Sequence, residues 1–429
     1  MRLENYQNAS PDEKLAWLDS ITMKTGLKYF GGKSQIGKYI LNHLFNMTLQ
    51  MKNDGKRPDI FIDAFTGGGK IALSVPYGWY DTVVINDLNY GVYSYYKYVK
   101  GDYVALIKMI DKIGEMINED LFHVALFIRS WGDMEDKYKQ NKELQKDFVL
   151  DDLSAAALTY WVTNCGFNGI IDPEISTYSL KYDKTGKKIE TNSSVIERDA
   201  IARIIRNAHK NIPRLHEVFK TKNIIVENLD YKELIKKYNG LPYKDIRGEE
   251  QPAIEEYKTK NKLWYFDPPY HPYTLYGGKD APYADSFTLD MAMELADILK
   301  GRKKKEYGSL EYFIKSDYDP KEALKRAKRV IKRCNEDPNY TNSQLDWYNK
   351  LLAENAKNPK NISKAFATLE KFPFCKICVG RFDKGSMTGE DIKAVGEEYI
   401  WCRGFSISYI KSTAQKNEEE QDLSKQNNN

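Results

Sequence analysis

The sequence of 429 residues has few cysteines and no long apolar run, and each of these deficits excludes a class of protein. Five cysteines are too few for a disulfide framework in a chain of this length. No apolar stretch approaches the roughly 20 residues that a helix needs to span a bilayer, and the start, Met1 to Asn5, has no apolar signal region. The net charge of +4 is too small to indicate a charged partner by itself. These deficits predict a soluble, reduced protein of the cytoplasm.

One pair of cysteines has a metal-ligand spacing. Cys375 and Cys378 form a Cys-x-x-Cys pair, with Cys334 and Cys402 elsewhere in the chain. Apolar residues surround the pair as they do in a strand, and no histidine is nearby. We therefore predict no metal, with a zinc site at this pair as the alternative.

The stretch Leu263 to Tyr270, Leu-Trp-Tyr-Phe-Asp-Pro-Pro-Tyr, organises the interpretation of the rest of the chain. Its first four residues form an apolar, aromatic run typical of a buried parallel strand. Proline has a fixed φ and no N–H, so the two prolines must end the strand. Asp267, the Pro268 carbonyl and the Tyr270 ring then lie at the carboxyl end of a strand, where open α/β sheets bind ligands. Two acceptors beside a ring suit a planar base with an exocyclic NH2 group; a plain double-proline turn is the alternative.

A glycine-rich corner follows an earlier strand. Asp59 to Phe65 has the pattern of a strand, and it leads into Thr-Gly-Gly-Gly before a helix that starts near Lys70. A strand, a glycine turn and a helix N-terminus are together typical of a nucleotide-binding corner. The corner has neither the ending of a Walker loop nor the Gly-x-Gly-x-x-Gly pattern. It therefore predicts a nucleotide-binding site outside those two classes.

Two further motifs support a ligand site. The strand Thr82 to Ile85 ends in Asn-Asp, and an acidic residue at this position can accept hydrogen bonds from both ribose hydroxyls. Asp87 is therefore our ribose candidate, although a helix cap before Leu88 is an equally good interpretation. Lys-Tyr-Phe-Gly-Gly-Lys, between Lys28 and Lys33, places two glycines between positive charges.

The alternation of strands and helices stops between residues 101 and 220, where helical patterns dominate. Within this segment, Tyr178 to Ile189 alternates apolar and polar residues around a turn, which predicts a β-hairpin. Its tip carries four lysines, Lys181, Lys184, Lys187 and Lys188. Such a tip suits phosphate groups, and a solvated edge is the alternative.

These changes of pattern divide the chain into six predicted segments. Residues 1–100, 221–319 and 367–412 belong to one α/β domain. The segment 101–220 is a largely helical insertion, 320–366 is a second helical insertion, and 413–429 is a disordered tail.

The motifs and their order resemble those of the Dam-like DNA adenine-N6 methyltransferases of the alpha group. The motifs are Lys-Tyr-Phe-Gly-Gly-Lys, Phe-Ile-Asp-Ala-Phe-Thr-Gly-Gly-Gly, Asn-Asp-Leu-Asn, Cys-Gly-Phe-Asn-Gly, Glu-Asn-Leu-Asp-Tyr and Asp-Pro-Pro-Tyr. The resemblance implies an α/β, Rossmann-like methyltransferase fold. In that fold a mostly parallel seven-stranded sheet has a reversed hairpin at one edge, and a largely helical target-recognition domain is inserted. The resemblance thus implies that residues 1–100, 221–319 and 367–412 are the catalytic domain and that residues 101–220 are the target-recognition domain.

The same resemblance implies S-adenosylmethionine (S-adenosyl-L-methionine) as cofactor and a role for each matching residue. The implied cofactor contacts are Tyr29, Lys33, Asp63, Phe65, Gly67, Gly69, Asp87, Asp230 and Asp267. The implied catalytic residues that hold the target base are Asp267, Pro268 and Tyr270. The residues expected to reach DNA are Lys28, Phe167 and Asn168, together with Lys181, Lys187 and Lys188 of the hairpin.

Three features depart from the family pattern. Tyr29 stands where many relatives have tryptophan, and residues 320–366 have no counterpart that we can place. After Asn168 the chain lacks the arginine-rich recognition sequence of the GATC enzymes, so GATC specificity is not expected.

The implied activity is site-specific methylation of N6 of a flipped-out adenine in double-stranded DNA. The resemblance further implies a bacterial or phage-encoded enzyme, a monomer or weak dimer, with a partner endonuclease left open. One alternative is an RNA adenine-N6 methyltransferase. The other is a catalytically inactive DNA-binding relative, against which the intact Asp-Pro-Pro-Tyr and glycine motifs argue.

Overall fold

A computed structural model gives the structure of the protein. It describes residues 1–24, 26–29, 33, 36–119, 151–165, 198–269, 287, 289–318, 320–336, 349, 352–353, 356, 375–384 and 394–403.

A mostly parallel sheet forms the centre of the molecule, in the order β3–β2–β1–β6–β7–β9–β8. Its parallel strands are β1 (Ile60–Asp63), β2 (Thr82–Asn86), β3 (Ile224–Glu227), β6 (Lys262–Phe266) and β7 (Phe313–Tyr318). An antiparallel pair, β8 (Cys375–Lys384) and β9 (Ala394–Cys402), joins the sheet through β7. The predicted α/β fold with a mostly parallel sheet is confirmed. The strand order reverses between β1 and β6, which is where open sheets of this kind bind ligands.

Helices cover both faces of this sheet. The helices that the structure describes are α1 (Leu3–Asn8), α2 (Pro11–Ser20), α3 (Gly37–Asn53), α4 (Lys70–Ser74), α5 (Tyr90–Lys100), α6 (Tyr103–Glu119), α7 (Asp152–Cys165), α8 (Arg198–Thr221), α9 (Tyr231–Tyr238), α10 (Glu256–Thr259), α11 (Leu289–Leu299), α12 (Lys304–Tyr307) and α13 (Pro320–Glu336). Among the helices that the structure describes, none is both long enough and apolar enough to cross a membrane.

Alternating residues of the strands enter two separate cores. Along β6, Leu263 and Tyr265 belong to the core under α3, α5 and α6, whereas Trp264 and Phe266 belong to the core under α9 and α11. All four side chains are at most 1% exposed. Burial on both faces is why this strand reads in the sequence as a continuous apolar run.

The described helices of the segment 101–220 share the first of these cores. Trp161 of α7 donates its ring N–H to the Ile110 carbonyl of α6 at 3.1 Å. Tyr160 of α7 stacks on Tyr95 of α5 and donates to the Ile204 carbonyl of α8 at 3.2 Å. Helices α6, α7 and α8 therefore pack onto the sheet through α5, and the domain boundaries themselves stay predictions.

Three features of the fold are not indicated by the sequence patterns. The first is helix α1, whose Tyr6 is held in an aromatic cluster with Trp17, Phe45 and Trp79. The second is the continuation of helix α8 through Pro213, because buried apolar residues follow the proline. The third is a short hairpin within residues 240–261, β4 (Tyr243–Lys244) with β5 (Glu250–Gln251), which is followed by α10.

Candidate active site

Two acidic residues meet at the carboxyl edge of the central strands. Strands β1 and β6 pair in parallel with Asp63 opposite Tyr265, so Asp63 ends one strand and Asp267 follows the end of its neighbour. The Ala64 N–H donates to the Tyr265 carbonyl at 3.0 Å and extends the ladder beyond Asp63. The register of two neighbouring strands thus brings together residues from two separate sequence motifs.

Lys33 forms an ion pair with Asp267. Its Nζ lies 2.8 Å from Asp267 Oδ1, and the two side chains are only 6% and 16% exposed. An ion pair with so little solvent is much less screened than one on the surface. The Gly-Gly-Lys motif therefore delivers a positive charge to the carboxylate of Asp-Pro-Pro-Tyr, which the sequence alone did not indicate.

Asp63 is buried beside this pair. Its side chain is 2% exposed, and its Oδ1 has no hydrogen-bond partner among the described residues. Burial raises the pKa of Asp63 well above its usual value, and the charge of Asp267 adds to this effect; the backbone N–H groups of Phe65 and Ala72 oppose it. A buried carboxylate with an unused acceptor fits a cationic ligand group.

Asp87 connects the glycine turn to the end of β2. Its Oδ2 accepts a hydrogen bond from the Gly67 N–H at 2.8 Å, and its Oδ1 accepts one from the Asn89 N–H at 3.0 Å. The cap of α5 is not Asp87 but Asn89, whose side chain accepts from the Val92 N–H. Each carboxylate oxygen has a second lone pair, so Asp87 can still accept hydrogen bonds from ribose hydroxyls.

The glycines of the turn make room for tyrosine side chains. Gly67 and Gly69 have φ values of 47° and 72°, which other residues rarely adopt. A Cβ on Gly67 would lie 2.8 Å from the Tyr29 ring, and one on Gly69 would lie 2.6 Å from the Tyr96 hydroxyl. That hydroxyl donates to the Gly67 carbonyl at 2.9 Å. Tyr96 therefore supports the turn from α5, a role that the sequence analysis missed although α5 is dense in tyrosine.

Phe65 and Asp230 lie on the other side of the turn. The Phe65 ring is 5.6 Å from the ring of Tyr231 and 5.8 Å from that of Phe287. Asp230 precedes Tyr231 and caps α9 by accepting from the Lys232 N–H at 2.9 Å. Burial raises the pKa of Asp230, and the hydrogen bond from Lys232 partly offsets this. An aromatic surface beside a carboxylate suits a purine ring with an amino group.

Several predicted site residues fall outside the part of the chain that the structure describes. They are Tyr270, Phe167, Asn168, Lys181, Lys187 and Lys188, and with them the whole hairpin Tyr178 to Ile189. Of the remaining candidates, Pro268 is buried and Lys28 is exposed. The roles of all these residues stay predictions.

No metal centre is evident in the described ranges, which contain no group of three or more His, Cys, Asp or Glu side chains that could hold an ion. Cys375 and Cys378 both lie in β8, so the backbone of the alternative zinc site is extended strand. A strand at this pair agrees with the sequence-based interpretation of its apolar neighbours.

Comparisons with known proteins identify the family. Among curated proteins none matches the chain. The model of the D12 class N6 adenine-specific DNA methyltransferases matches residues 29–326, which include Tyr29 to Lys33, the glycine turn and Asp-Pro-Pro-Tyr. Methyltransferases of this family use S-adenosylmethionine, and their sheet is Rossmann-like. The chain therefore belongs to the D12 class N6 adenine-specific DNA methyltransferase family and is a site-specific, adenine-specific DNA methyltransferase.

Proposed function

We propose that the protein methylates an adenine of double-stranded DNA that is flipped into the pocket at the end of β6, with S-adenosylmethionine held at the ends of β1, β2 and β3. The observation that carries this proposal is the buried Lys33–Asp267 ion pair beside Asp63. It places an acceptor for an exocyclic amine next to a carboxylate suited to a cation.

Asp267 and the Pro268 carbonyl act on the target amine. The lone pair of adenine N6 is delocalised into the ring, so the free amine is a poor nucleophile. Accepting both N–H bonds localises that lone pair and stabilises the charge that develops on the nitrogen. The Lys33 ammonium, 2.8 Å from Asp267 Oδ1, fixes the orientation of this carboxylate.

Three carboxylates and one ring hold the cofactor in this proposal. When bound, S-adenosylmethionine supplies a methyl group on a positively charged sulfonium. Asp63 faces the cationic methionine portion, Asp87 accepts from the ribose, and Asp230 accepts from the adenine amino group beside Phe65. The unused, buried Asp63 Oδ1 supports this fit.

The target base has to leave the duplex to reach Asp267. Flipping costs a few kcal/mol, and stacking on Tyr270 offsets roughly 1–3 kcal/mol of that cost. We also propose that the protein is a monomer or weak dimer, encoded by a bacterium or phage, and that it acts in the cytoplasm, with or without a partner endonuclease.

Incubation with methyl-labelled S-adenosylmethionine tests the proposal. Matched duplex DNA, single-stranded DNA and RNA of the same sequence serve as substrates, and sequencing of the product locates the modified base. We expect N6-methyladenine at one site in the duplex. Label on RNA only would establish the RNA enzyme instead, and no label on any substrate, with binding to duplex DNA, would establish an inactive DNA-binding relative.

The cofactor carboxylates lead to a first mutational prediction. Asp87→Ala and Asp230→Ala should each weaken S-adenosylmethionine binding by roughly 1–3 kcal/mol, the usual result of leaving buried partners unpaired. Isothermal titration calorimetry measures the effect. Asp230→Ser separates the two functions of Asp230, because serine still caps α9 but has no carboxylate.

Asp245→Ala is the matched control for these variants. Asp245 also accepts backbone N–H groups, those of Arg247 and Glu249, but it lies in the hairpin β4–β5. Asp245→Ala should leave the affinity for S-adenosylmethionine unchanged. Wild-type affinity in both Asp87→Ala and Asp230→Ala would place the cofactor elsewhere.

The basic hairpin leads to a second prediction. Phosphate contacts position a protein on DNA without reading its sequence, so Lys187 and Lys188 changed together to alanine should weaken binding to all duplexes alike. The slope of log K against log salt should flatten by about 1 per lost phosphate contact. An unaltered slope would show that these lysines of the hairpin do not contact DNA phosphates.

Asn168→Ala should act differently from the lysine variant. An asparagine amide can pair with an adenine edge in the major groove, so its loss should narrow the difference in affinity between target and non-target duplexes. Equal weakening of both duplexes would instead assign Asn168 to the DNA backbone.

A further inference from the structure

Two buried asparagines join the ends of β2 and β3, beside the proposed cofactor carboxylates. Asn86 is the last residue of β2, and Asn228 directly follows the last residue of β3. Their side chains are 2% and 8% exposed. Asp87 follows Asn86 in the chain, and Asp230 lies two residues after Asn228, so each asparagine is linked to one of the two carboxylates.

The Asn86 side chain reaches from β2 to the loops after β1 and β3. Its Nδ2 donates to the Ala64 carbonyl and to the Leu229 carbonyl, each at 3.0 Å. Its Oδ1 accepts from the Leu229 N–H at 2.9 Å. The amide thus uses both donors and an acceptor on backbone groups, and it fixes the residue that precedes Asp230.

The Asn228 side chain reaches in the opposite direction. Its Nδ2 donates to the Asp87 carbonyl at 2.8 Å and to the Leu88 carbonyl at 3.0 Å. Asn86 therefore holds the loop of Asp230 from β2, and Asn228 holds the loop of Asp87 from β3. We call this crossed pair the asparagine clasp.

The clasp extends the ladder between β2 and β3 past its end. The last paired residues are Asn86 and Glu227, and beyond them the two chains turn away towards α5 and α9. One backbone bond remains beyond this pair, from the Asp87 N–H to the Glu227 carbonyl at 3.3 Å, and past it side-chain hydrogen bonds set the separation of the two chains. This bond fixes Asp87 but does not reach Asp230, so the separation of the two carboxylates also depends on the clasp, which binds the backbone within two residues of each.

We propose that Asn86 and Asn228 are positioning residues that set the distance between Asp87 and Asp230 to the span from ribose to adenine amino group. The inference rests on the proposed function, in which these carboxylates hold the two ends of the adenosine. The clasp then acts on cofactor binding, whereas Asp267, after the end of β6, and Lys33, in the Gly-Gly-Lys motif, lie outside it.

Asn228→Ala tests this proposal in the full-length protein. We expect the Kd for S-adenosylmethionine to rise about tenfold, since the variant loses two buried hydrogen bonds. Turnover at saturating cofactor and DNA should stay near the wild-type value, because a binding defect raises KM without lowering kcat. Asn228→Asp, which keeps the size but loses both donors, is the second variant if the alanine variant does not fold.

Asn223→Ala is the matched control. Asn223 also joins β3 to β2, through bonds from its Nδ2 to the Asp81 carbonyl at 3.3 Å and to Thr82 Oγ1 at 3.0 Å, but at the amino end of the strands. Asn223→Ala should leave the Kd for S-adenosylmethionine unchanged. A Kd for Asn228→Ala equal to that of Asn223→Ala would overturn the role of the clasp.

A mutant cycle separates positioning from a general loss of packing. If Asn228 acts through the two carboxylates, Asn228→Ala should add nothing to the Kd of the Asp87→Ala/Asp230→Ala protein. If Asn228→Ala raises the Kd of the Asp87→Ala/Asp230→Ala protein as much as it raises that of the wild type, the clasp proposal is overturned. The proposed cofactor site would not be affected by that result. If Asp87→Ala and Asp230→Ala alone do not change the Kd, the proposed cofactor site fails and the clasp proposal fails with it.

Discussion

Asp267→Ala is expected to abolish methyl transfer while the protein stays folded. Asp267 is the side-chain acceptor at the tip of β6, and loss of one such electrostatic contact typically lowers kcat by about 10²–10³-fold. A single-turnover assay with labelled S-adenosylmethionine and duplex DNA measures the loss. Because Asp267 is not the main holder of the cofactor in our proposal, binding of S-adenosylmethionine should persist.

The ion pair supplies the control for this prediction. Removing Asp267 takes a carboxylate away from Lys33, which is only 6% exposed, and loss of a counter-charge at a site with so little solvent destabilises a fold. Adding Lys33→Met to Asp267→Ala should restore the thermal stability that the single variant loses. It should not restore turnover. Near wild-type turnover in a folded Asp267→Ala protein would contradict the mechanism.

Asp63→Asn is expected to move stability and cofactor affinity in opposite directions. The isosteric amide removes a buried carboxylate whose Oδ1 has no partner in the described structure, so the melting temperature without cofactor should rise. The same change removes a charge-assisted contact to a cationic ligand, worth about 1.5–3 kcal/mol. The Kd for S-adenosylmethionine should therefore increase roughly ten- to hundredfold.

The pH dependence of this stability difference has a defined sign. The pKa of Asp63 is raised in the folded protein, so the folded state holds a proton that the unfolded state releases near pH 4. Between that pH and the raised pKa, wild-type stability falls as pH rises. The difference in melting temperature between Asp63→Asn and the wild type should be small at pH 4. It should grow as the pH rises and then level off above the raised pKa of Asp63. Equal melting temperatures of the two proteins across that pH range would show that Asp63 is not the source of the pH dependence.

Asp63→Glu is a second check on the role of Asp63. It keeps the charge but adds a methylene group to a close-packed site, so it should lower both stability and affinity. A Kd equal to that of Asp63→Asn would mean that shape, and not charge, decides the affinity at this position.

The sequence predicted the parts of the site that are encoded locally. An apolar run ended by two prolines placed Asp267 at a strand tip, and the paired strands β1 and β6 confirm that position. The glycine turn and the helix after it were also predicted, since a strand followed by three glycines leaves few other structures. For both the Asp267 strand and the glycine turn, the sequence pattern that makes the prediction spans only about ten residues.

The parts that depend on distant contacts could not be predicted. Lys33 was assigned to the cofactor, but its position opposite Asp267 depends on where two segments far apart in the chain fold. Asn86 looked like part of an Asn-Asp turn, and only the neighbouring strand β3 reveals the bonds of its amide. Gly67 and Gly69 were predicted as ligand-facing, whereas their contacts show that Tyr29 and Tyr96 also require glycine there.

The insertion of β6 between β1 and β7 also determines when the site can form. Asp63 and Tyr265 pair directly although about 200 residues separate them, so closing this contact demands a large loss of chain entropy. During synthesis, β1 and β2 can pair early, but β6 can join β1 only after all the residues between β2 and β6 have been made. A topology dominated by such non-local pairs folds slowly. Asp267, the catalytic carboxylate in our proposal, is thus absent from every shorter nascent chain, and we expect activity only after the late closure of the sheet.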